Sequence, residues 1–279
     1  MGMEDGAQKL LEVVISRVAE ACKAVGVEFF IVGAYAQLLW LDEGNIASRG
    51  TRDVDVAVYV SDVEKFNALK SYLISKHGYT RLRENPLRLV LDGNYEIDLL
   101  PFNDETLYGT PRSIVSLVGV DFETSGIAAA FPKGLRVSQV GNTNFRSASM
   151  PALILMKLIA INERPEQRTI KDLSDILLVI KHYYSLELDA VFENHSDIYE
   201  LTLTELQMSA HILGREIRLL IADQMDMLLT VQSVIEKLTE KTKTIVQAAA
   251  SANLDDADVR ILLVSLLKGL LEPRNISDS

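Results

Sequence analysis

The sequence predicts an α/β domain up to about residue 148, followed by an all-helical domain. Two observations predict this order. The first part alternates short β-branched or apolar runs with amphipathic stretches of helical period, which is typical of α/β proteins. From Met150 onward every periodic segment has the helical spacing. We therefore divide the chain into residues 1–148 and 149–279.

The first elements follow from periodicity and from the residues that end each segment. A helix is predicted over 6–25, closed by Gly26, and a buried strand over 27–33. A second helix starts directly after Gly33. The stretch "RGTRDVDVAVYV" at 49–60 contains a strand, because its valines alternate, and 61–78 forms a capped helix.

Three short strands are predicted next, from the segments "YTRLR", "LRLVL" and "YEIDLLPF". The sequence "DGN" at 92–94 separates the last two and is a strong hairpin signal. Between 103 and 148 the pattern is weaker, with strand candidates at 113–122 and 135–141. Five helical segments follow, at 151–163, 169–184, 201–221, 224–250 and 256–271.

Composition limits the classes of protein that the chain can belong to. Its 279 residues are 48% hydrophobic, which is enough for a sizeable core. The single cysteine, Cys22, excludes an internal disulfide and a cysteine-based zinc site, and it falls on the apolar stripe of the first helix. We expect a cytoplasmic protein without a membrane segment, because the start resembles no signal peptide and no apolar run is long enough to span a bilayer.

The net charge of −11 argues against non-specific binding to nucleic acid, which depends on surplus Lys and Arg. Most of the net negative charge lies after residue 184, since residues 1–184 carry −3 and residues 185–279 carry −8. A local anion-binding face in the first domain stays open, and its candidates are Arg81, Arg83, Arg88, Arg136 and Arg146.

Three carboxylates are the strongest functional signal. Asp53 and Asp55 are two residues apart and so share one face of a strand. Asp98 lies within the apolar strand "YEIDLLPF", where a lone carboxylate is costly and needs a partner or a metal. If the two strands are neighbours, the three carboxylates converge. Oxygen ligands without His or Cys suit Mg²⁺ or Mn²⁺. A solvent-facing pair at a strand end is the alternative for Asp53 and Asp55.

Two further features accompany the carboxylates. The segment "FFIVGAYA" places Gly33 at a junction of strand and helix, which is either a cradle for phosphate or a simple tight turn. Tyr35 follows on that helix and is either a core residue or a platform for a base. Lys157 lies among apolar residues of a later helix, so it either reaches solvent or points at a phosphate.

The ordered segments "IVGAYA", "TRDVDVAV", "YEIDLLPF" and "PALILMKLIAINERPEQRTIKDLSDI" resemble the nucleotidyltransferase superfamily with the polymerase-β-type fold. The resemblance is to its AbiEii/AbiGii toxin-like branch and covers roughly residues 5–182. It implies an α/β (α+β) domain with a mixed sheet, followed by an all-helical C-terminal domain. It also implies a metal-dependent enzyme that moves a nucleoside monophosphate from an NTP to an acceptor hydroxyl.

The resemblance assigns roles by position in the first domain. It makes Gly33 and Ala34 the turn that holds the triphosphate, with Tyr35 beside it. It makes Asp53 and Asp55 the paired metal ligands and Asp98 the third carboxylate, which helps to deprotonate the acceptor. One departure is Ala34, because the superfamily commonly has serine or glycine there, and alanine supplies no hydroxyl and less backbone freedom.

In the second domain the resemblance makes Lys157 the helical lysine that contacts nucleotide phosphate. Lys171, Asp172 and Asp175 match the later Lys-Asp-x-x-Asp motif, whose members orient the nucleotide and the lysine.

The acceptor stays open at this point. The toxin-like branch implies RNA or tRNA, or a protein, together with an antitoxin partner. A small aminoglycoside-type acceptor suits the acidic net charge better. A degenerate fold acting as a binding or regulatory module is the alternative of another class, and Ala34 motivates it.

Overall fold

A computed structural model of the chain describes residues 5–46, 53–92, 95–103, 124–162 and 164–272. The chain divides into two compact units, Met1–Ser149 and Met150–Ser279. The division falls one residue beyond the predicted domain boundary.

The first unit alternates helices and strands along the chain. Its helices are α1 (Asp5–Val25), α2 (Gly33–Glu43), α3 (Val63–His77) and α4 (Ser125–Ala130), and its strands are β1 (Glu28–Val32), β2 (Asp53–Tyr59), β3 (Thr80–Arg81), β4 (Arg88–Leu91), β5 (Tyr95–Phe102), β6 (Leu135–Val140) and β7 (Thr143–Ala148).

The described strands form one mixed sheet in the order β3-β4-β5-β2-β1-β7-β6. Strand β2 lies in its centre, antiparallel to β1 and parallel to β5. Strands β4 and β5 form the hairpin that the sequence predicts. The prediction of a mixed-sheet α/β (α+β) domain followed by helices is confirmed.

Helix α1 buries the stripe predicted from its periodicity, including Leu11, Val14 and Val18. Cys22 is 1% exposed, and burial raises the pKa of its thiol to about 12. The thiol therefore stays protonated at neutral pH, as expected of a core residue.

The segment 103–148, in which the sequence pattern is weakest, contains two elements that periodicity does not predict, α4 and β7. Strand β7, "TNFRSA", carries polar residues and has no apolar alternation. It is held by pairing with β1 and β6, and its Ser147 hydroxyl hydrogen-bonds to the buried Ser138 hydroxyl at 2.6 Å. The strand predicted at 113–122 lies outside the described residues.

The regular elements of the second unit are all helices in its described residues, 150–162 and 164–272. It contains α5 (Met150–Ile161), α6 (Glu166–Leu186), α7 (Leu188–Asn194), a 3-10 helix (Ser196–Glu200), α8 (Glu205–Leu220), α9 (Met225–Glu240), α10 (Thr242–Ala252) and α11 (Asp256–Leu271).

The single helix predicted over 224–250 is wrong, because Lys241 leaves the helical conformation between α9 and α10, with φ −80° and ψ 74°. Arg260 of α11 binds both sides of this break. Its guanidinium donates to the Thr239 carbonyl and, at 2.9 Å, to the Thr242 hydroxyl. A tertiary contact of this kind leaves no local signal in the sequence.

Helices α8 and α11 approach each other closely at two glycines. A Cβ added to Gly214 would lie 2.1 Å from the Leu266 carbonyl oxygen. A Cβ added to Gly269 would lie 1.9 Å from the His211 carbonyl oxygen. The two backbones are therefore in direct contact, and neither position has room for a side chain.

An ion network fixes the end of α11 to the rest of this unit. Arg215, 5% exposed, donates to both oxygens of Glu272 at 2.6 and 3.0 Å. It also donates to both oxygens of Asp197, at 3.0 and 2.7 Å. His211 Nε2 lies 2.7 Å from Glu272 Oε2. The buried guanidinium is thus paired on two sides, which a buried cation requires.

We expect the stability of the helical unit to fall in acid through Glu272. The Arg215 hydrogen bonds lower the pKa of Glu272 to about 2, from an ordinary 4.5. A carboxyl group with a lowered pKa stabilises the fold fully above its unfolded pKa. That contribution is lost as the pH falls from 4.5 toward 2. Urea unfolding of the wild type and Glu272→Gln across this range measures it, and equal slopes against pH in both proteins would contradict it.

Candidate functional site

Four carboxylates lie on one face of the first unit's sheet, at the start of β2. Asp55 is directly opposite Asp98 in the parallel pairing of β2 with β5, and Asp53 is opposite Glu96. Residues opposite each other in a sheet share a face and have neighbouring side chains. The strand of Asp98 is thus a neighbour of the strand of Asp53 and Asp55, which is the condition under which the sequence analysis expects the three carboxylates to converge.

The turn into α2 lies beside these carboxylates. We call the four side chains of Asp53, Asp55, Glu96 and Asp98 the carboxylate patch. Val32, the last residue of β1, is opposite Asp55, and Gly33 follows it with φ +66°. A Cβ added to Gly33 would lie 2.1 Å from Asp55 Oδ2. Glycine is required here on two grounds: the left-handed backbone conformation and the Asp55 carboxylate beside its Cα.

The first turn of α2 has donors suited to an anion. Its N-cap is Val32, whose side chain forms no capping hydrogen bond, and no acidic residue lies in the first turn. Ala34 is half-buried in that turn. The backbone amides at a helix start are the groups that bind phosphate, and they require no serine hydroxyl.

Tyr35 lies within the electrostatic reach of the patch. It is 2% exposed, and its pKa is raised by burial and by the negative charge of Asp53. Its ring is therefore part of the core at the edge of the carboxylates. Stacking of this ring on a base stays a prediction.

Arg88 of β4 binds Asp98 with two hydrogen bonds. Its Nε donates to Oδ1 at 2.7 Å and its Nη2 donates to Oδ2 at 2.6 Å. The third donor nitrogen, Nη1, binds Glu96 Oε2. The hydrogen bonds to Asp98 are the largest cause that raises the pKa of Arg88 above its ordinary value. Both oxygens of the predicted third metal ligand are thus engaged by a cation of the chain itself.

Carboxylate oxygens are the type of ligand that Mg²⁺ and Mn²⁺ prefer. Four carboxylates share this face of the sheet, and Asp53 and Asp55 are two residues apart on β2. Asp98, however, is held by Arg88. Over the described ranges, no three His, Cys, Asp or Glu side chains are grouped closely enough to hold an ion. Metal binding by Asp53, Asp55 and Asp98 therefore stays a prediction, and both oxygens of Asp98 are bound by Arg88.

The sequence analysis did not identify Glu96 or the pairing of Arg88. Both could have been found from the hairpin. A hairpin that turns at "DGN" pairs Arg88 with Asp98 and Leu91 with Tyr95. Glu96 precedes Asp98 by two residues and so lies on the same face.

Three of the five arginines that could form a local anion-binding face have carboxylate partners. Arg88 is paired as described, Arg136 binds Glu43, and Arg146 binds Glu28. Arg81 and Arg83 are exposed. Because carboxylates neutralise the other three guanidinium groups, these residues do not form a continuous basic surface.

The second unit brings together most of the residues predicted there. Lys157 of α5 donates to Asp175 Oδ2 at 2.8 Å and lies 3.5 Å from Asp172 Oδ1, both on α6. Arg164 donates to Asp172 Oδ2 at 2.6 Å. The Asp172 side chain is 5% exposed and that of Lys157 is 14% exposed. The alternative in which Lys157 only reaches into solvent is therefore excluded.

Lys171 differs from its neighbours in the motif. It is exposed, whereas Asp172 beside it is buried. Successive residues of a helix point about 100° apart, so Lys171 leaves the face that holds Lys157. Its role in nucleotide binding stays a prediction.

Comparison with known proteins gives similarity to solved structures alone. No protein-family model and no curated protein matches the sequence. Among solved structures, the chain is similar to the crystal structure of an antigenic nucleotidyltransferase-like protein from Paracoccidioides brasiliensis. The identity is 14%, the TM-score is 0.38, and the match covers 83% of this chain and 94% of the other.

The described helices include none with the length and apolar character that crossing a bilayer requires.

Proposed function

We propose that the chain is a nucleotidyltransferase that transfers a nucleoside monophosphate from an NTP to an acceptor hydroxyl and releases pyrophosphate. The observation that carries the proposal is the contact of Asp55 with Gly33. This contact places the start of α2, whose backbone amides suit a phosphate, beside the sheet face that carries the four carboxylates. Phosphoryl transfer needs these two functions side by side, because catalysis depends on positioning and on neutralising charge.

The residues of the first unit have separate roles in this proposal. The backbone amides at Gly33 and Ala34 bind the triphosphate, and Asp53 and Asp55 hold Mg²⁺ or Mn²⁺. The ion would neutralise charge on the transferring phosphate and its leaving group. Asp98 accepts the proton of the acceptor hydroxyl, for which it lies next to Asp55 in the sheet.

For the second unit, taken by itself, we propose roles in binding nucleotide phosphate. Lys157 contacts a phosphate, and Asp172 and Asp175 hold its ammonium group through the ion pairs described above. Lys171 supplies a further positive charge from the exposed side of the motif. Their resemblance to the toxin-like branch supports these assignments.

For the acceptor we propose RNA, tRNA or a protein, in keeping with a toxin that is neutralised by an antitoxin. The net charge of −11 and the pairing of Arg88, Arg136 and Arg146 favour a protein or a small hydroxylated acceptor over a long RNA.

A second candidate is a degenerate member of the fold that binds a ligand without catalysis. The observation that favours it is the occupation of Asp98 by Arg88, together with alanine at position 34. Such a module would bind an NTP and leave it intact.

Titration calorimetry of each NTP with Mg²⁺ tests the proposal at its first step. We expect wild type to bind at least one NTP, and Asp55→Asn to bind it at least about tenfold more weakly, because the metal loses a charged ligand. Asp42→Asn, near the C-terminal end of α2 and away from its first turn, is the matched control and should bind as the wild type does. No binding by the wild type, or equal binding by Asp55→Asn, would contradict the proposal.

A further inference from the structure

The segment between α6 and α8 exposes three large apolar side chains. Leu188 and Phe192 are 46% and 67% exposed. They lie four residues apart on α7 and therefore share a face of that helix. Tyr199 of the 3-10 helix is 43% exposed. Single exposed apolar residues are common on protein surfaces, whereas several that lie together mark a surface that binds another molecule.

A hydrogen bond to Tyr184 brings Tyr199 next to α7. The hydroxyl groups of the two tyrosines are 3.3 Å apart. Leu188 follows Tyr184 by four residues, and the Glu187 amide between them keeps the helical hydrogen bond to the fourth residue before it, at 2.9 Å. Leu188 is thus about one helical turn from Tyr184, to which Tyr199 is bound. We call Leu188, Phe192 and Tyr199 the apolar patch.

The backbone that carries the apolar patch is fixed from below. Val191, His195 and Ile198 alternate with the exposed residues and are buried. His195 Nε2 lies 2.7 Å from Glu216 Oε1 of α8. A partner therefore meets apolar side chains on an ordered backbone, which reduces the loss of entropy on binding.

Negative charge surrounds the apolar patch. Residues 182–214 contain six acidic residues and no Lys or Arg, although 28 of the 279 residues of the chain are Lys or Arg. Asp189, Glu193 and Glu200 each directly follow a residue of the apolar patch, and all three are exposed. Within the described part of the chain, none of these three carboxylates forms an ion pair. We call them the acidic rim.

The acidic rim determines which kind of partner fits. Nucleic acids and anionic lipid surfaces carry the same sign of charge and are repelled. A second copy that docks through the same face would place acidic residues against acidic residues. A protein segment with both basic and apolar side chains matches the rim and the patch together, because complementary charge favours encounter and apolar contact supplies affinity.

We propose that this face of the helical unit binds a basic amphipathic segment of another protein. Its apolar side chains cover the apolar patch, and its Lys or Arg side chains pair with the acidic rim. Phe192 is the main anchor, because exposed aromatic side chains contribute most to such interfaces. The proposal goes beyond nucleotidyl transfer and does not depend on it.

Fluorescence anisotropy with a labelled model peptide, an amphipathic helix of Leu and Lys, tests the proposal. We expect the wild type to bind this peptide at least about tenfold more tightly than Phe192→Ser, which lacks the anchor. The double variant Asp189→Lys/Glu193→Lys should lose at least about tenfold in affinity and most of the dependence on salt. Circular dichroism checks that each variant is folded.

A matched variant and a matched peptide serve as controls. Val246→Ser removes an apolar side chain of α10 that is 48% exposed, close to Lys241 and Lys243 in sequence. It should stay within about twofold of the wild type, because its surroundings are not acidic. A peptide with Glu in place of every Lys should bind the wild type at least about tenfold more weakly.

Equal affinity of folded Phe192→Ser and the wild type for the Lys peptide would overturn the proposal. Equal binding of the Lys and Glu peptides would also overturn it, since charge would then not select the partner. Sedimentation gives a third test: a wild-type dimer that Phe192→Ser abolishes would show that a second copy covers the patch, against the proposal. None of these measurements involves an NTP, so this proposal and the proposed function fail separately.

Discussion

Replacing Gly33 by alanine is expected to abolish nucleotide binding and to lower transfer activity by at least about 100-fold. The new Cβ would lie 2.1 Å from Asp55 Oδ2 and 3.2 Å from Asp55 Cβ, so the carboxylate must leave its position. The positive φ of +66° adds a cost of about 1–2 kcal/mol for an L residue. Displacement of a reacting group by about 1 Å is enough for a loss of this size.

Gly78→Ala is the matched control for this substitution. Gly78 has a similar φ of +75°, but an added Cβ would meet nothing within 4 Å. Gly78→Ala should lose only the stability that a positive φ costs an L residue, and its NTP affinity should be unchanged. Fluorescence of Trp40, the only tryptophan and a residue of α2, reports unfolding next to the substitution. Equal NTP affinity in folded Gly33→Ala and the wild type would contradict the role given to this turn.

Replacing Gly269 by alanine is expected to destabilise the helical unit by about 3 kcal/mol, at the upper end of the usual cost of overpacking. The clash is with the backbone of α8, since the Cβ would lie 1.9 Å from the His211 carbonyl oxygen and 2.8 Å from its carbon. A backbone cannot turn aside as a side chain can, so the two helices must separate.

The sign of the Gly269→Ala effect is itself informative. Helix propensity alone favours alanine over glycine by about 1 kcal/mol, so a substitution without the clash would stabilise the protein. Urea unfolding followed by circular dichroism measures the change, and Gly214→Ala should behave in the same way because it meets the Leu266 carbonyl at 2.1 Å. A gain in stability in either variant would show that the helices are not in close contact there.

Much of the sheet could be predicted from sequence because its strands carry local signals. Alternating valines mark β2, and the "DGN" turn marks the hairpin that places Asp98. Strand β7 could not be predicted in this way, since its polar residues are stabilised by neighbours far away in sequence.

The carboxylates of the candidate site are easier to predict from the sequence than Arg88, which pairs with them. Asp53, Asp55 and Asp98 are conspicuous because acidic residues are rare in apolar strands. Arg88 is conspicuous only after the hairpin register is drawn, because nothing in "LRLVL" distinguishes a paired arginine from an exposed one. The contact of Gly33 with Asp55 depends on how β1 and β2 pair, which no local pattern specifies.

One measurement tests nucleotidyl transfer by this chain directly: transfer of label from an α-phosphate-labelled NTP, with Mg²⁺, into the RNA, protein or small-molecule fraction of a cell extract. We predict that the wild type labels one fraction and releases pyrophosphate, and that Asp55→Asn does neither. Label that stays entirely in NTP with the wild type, or that is transferred equally by Asp55→Asn, would contradict it.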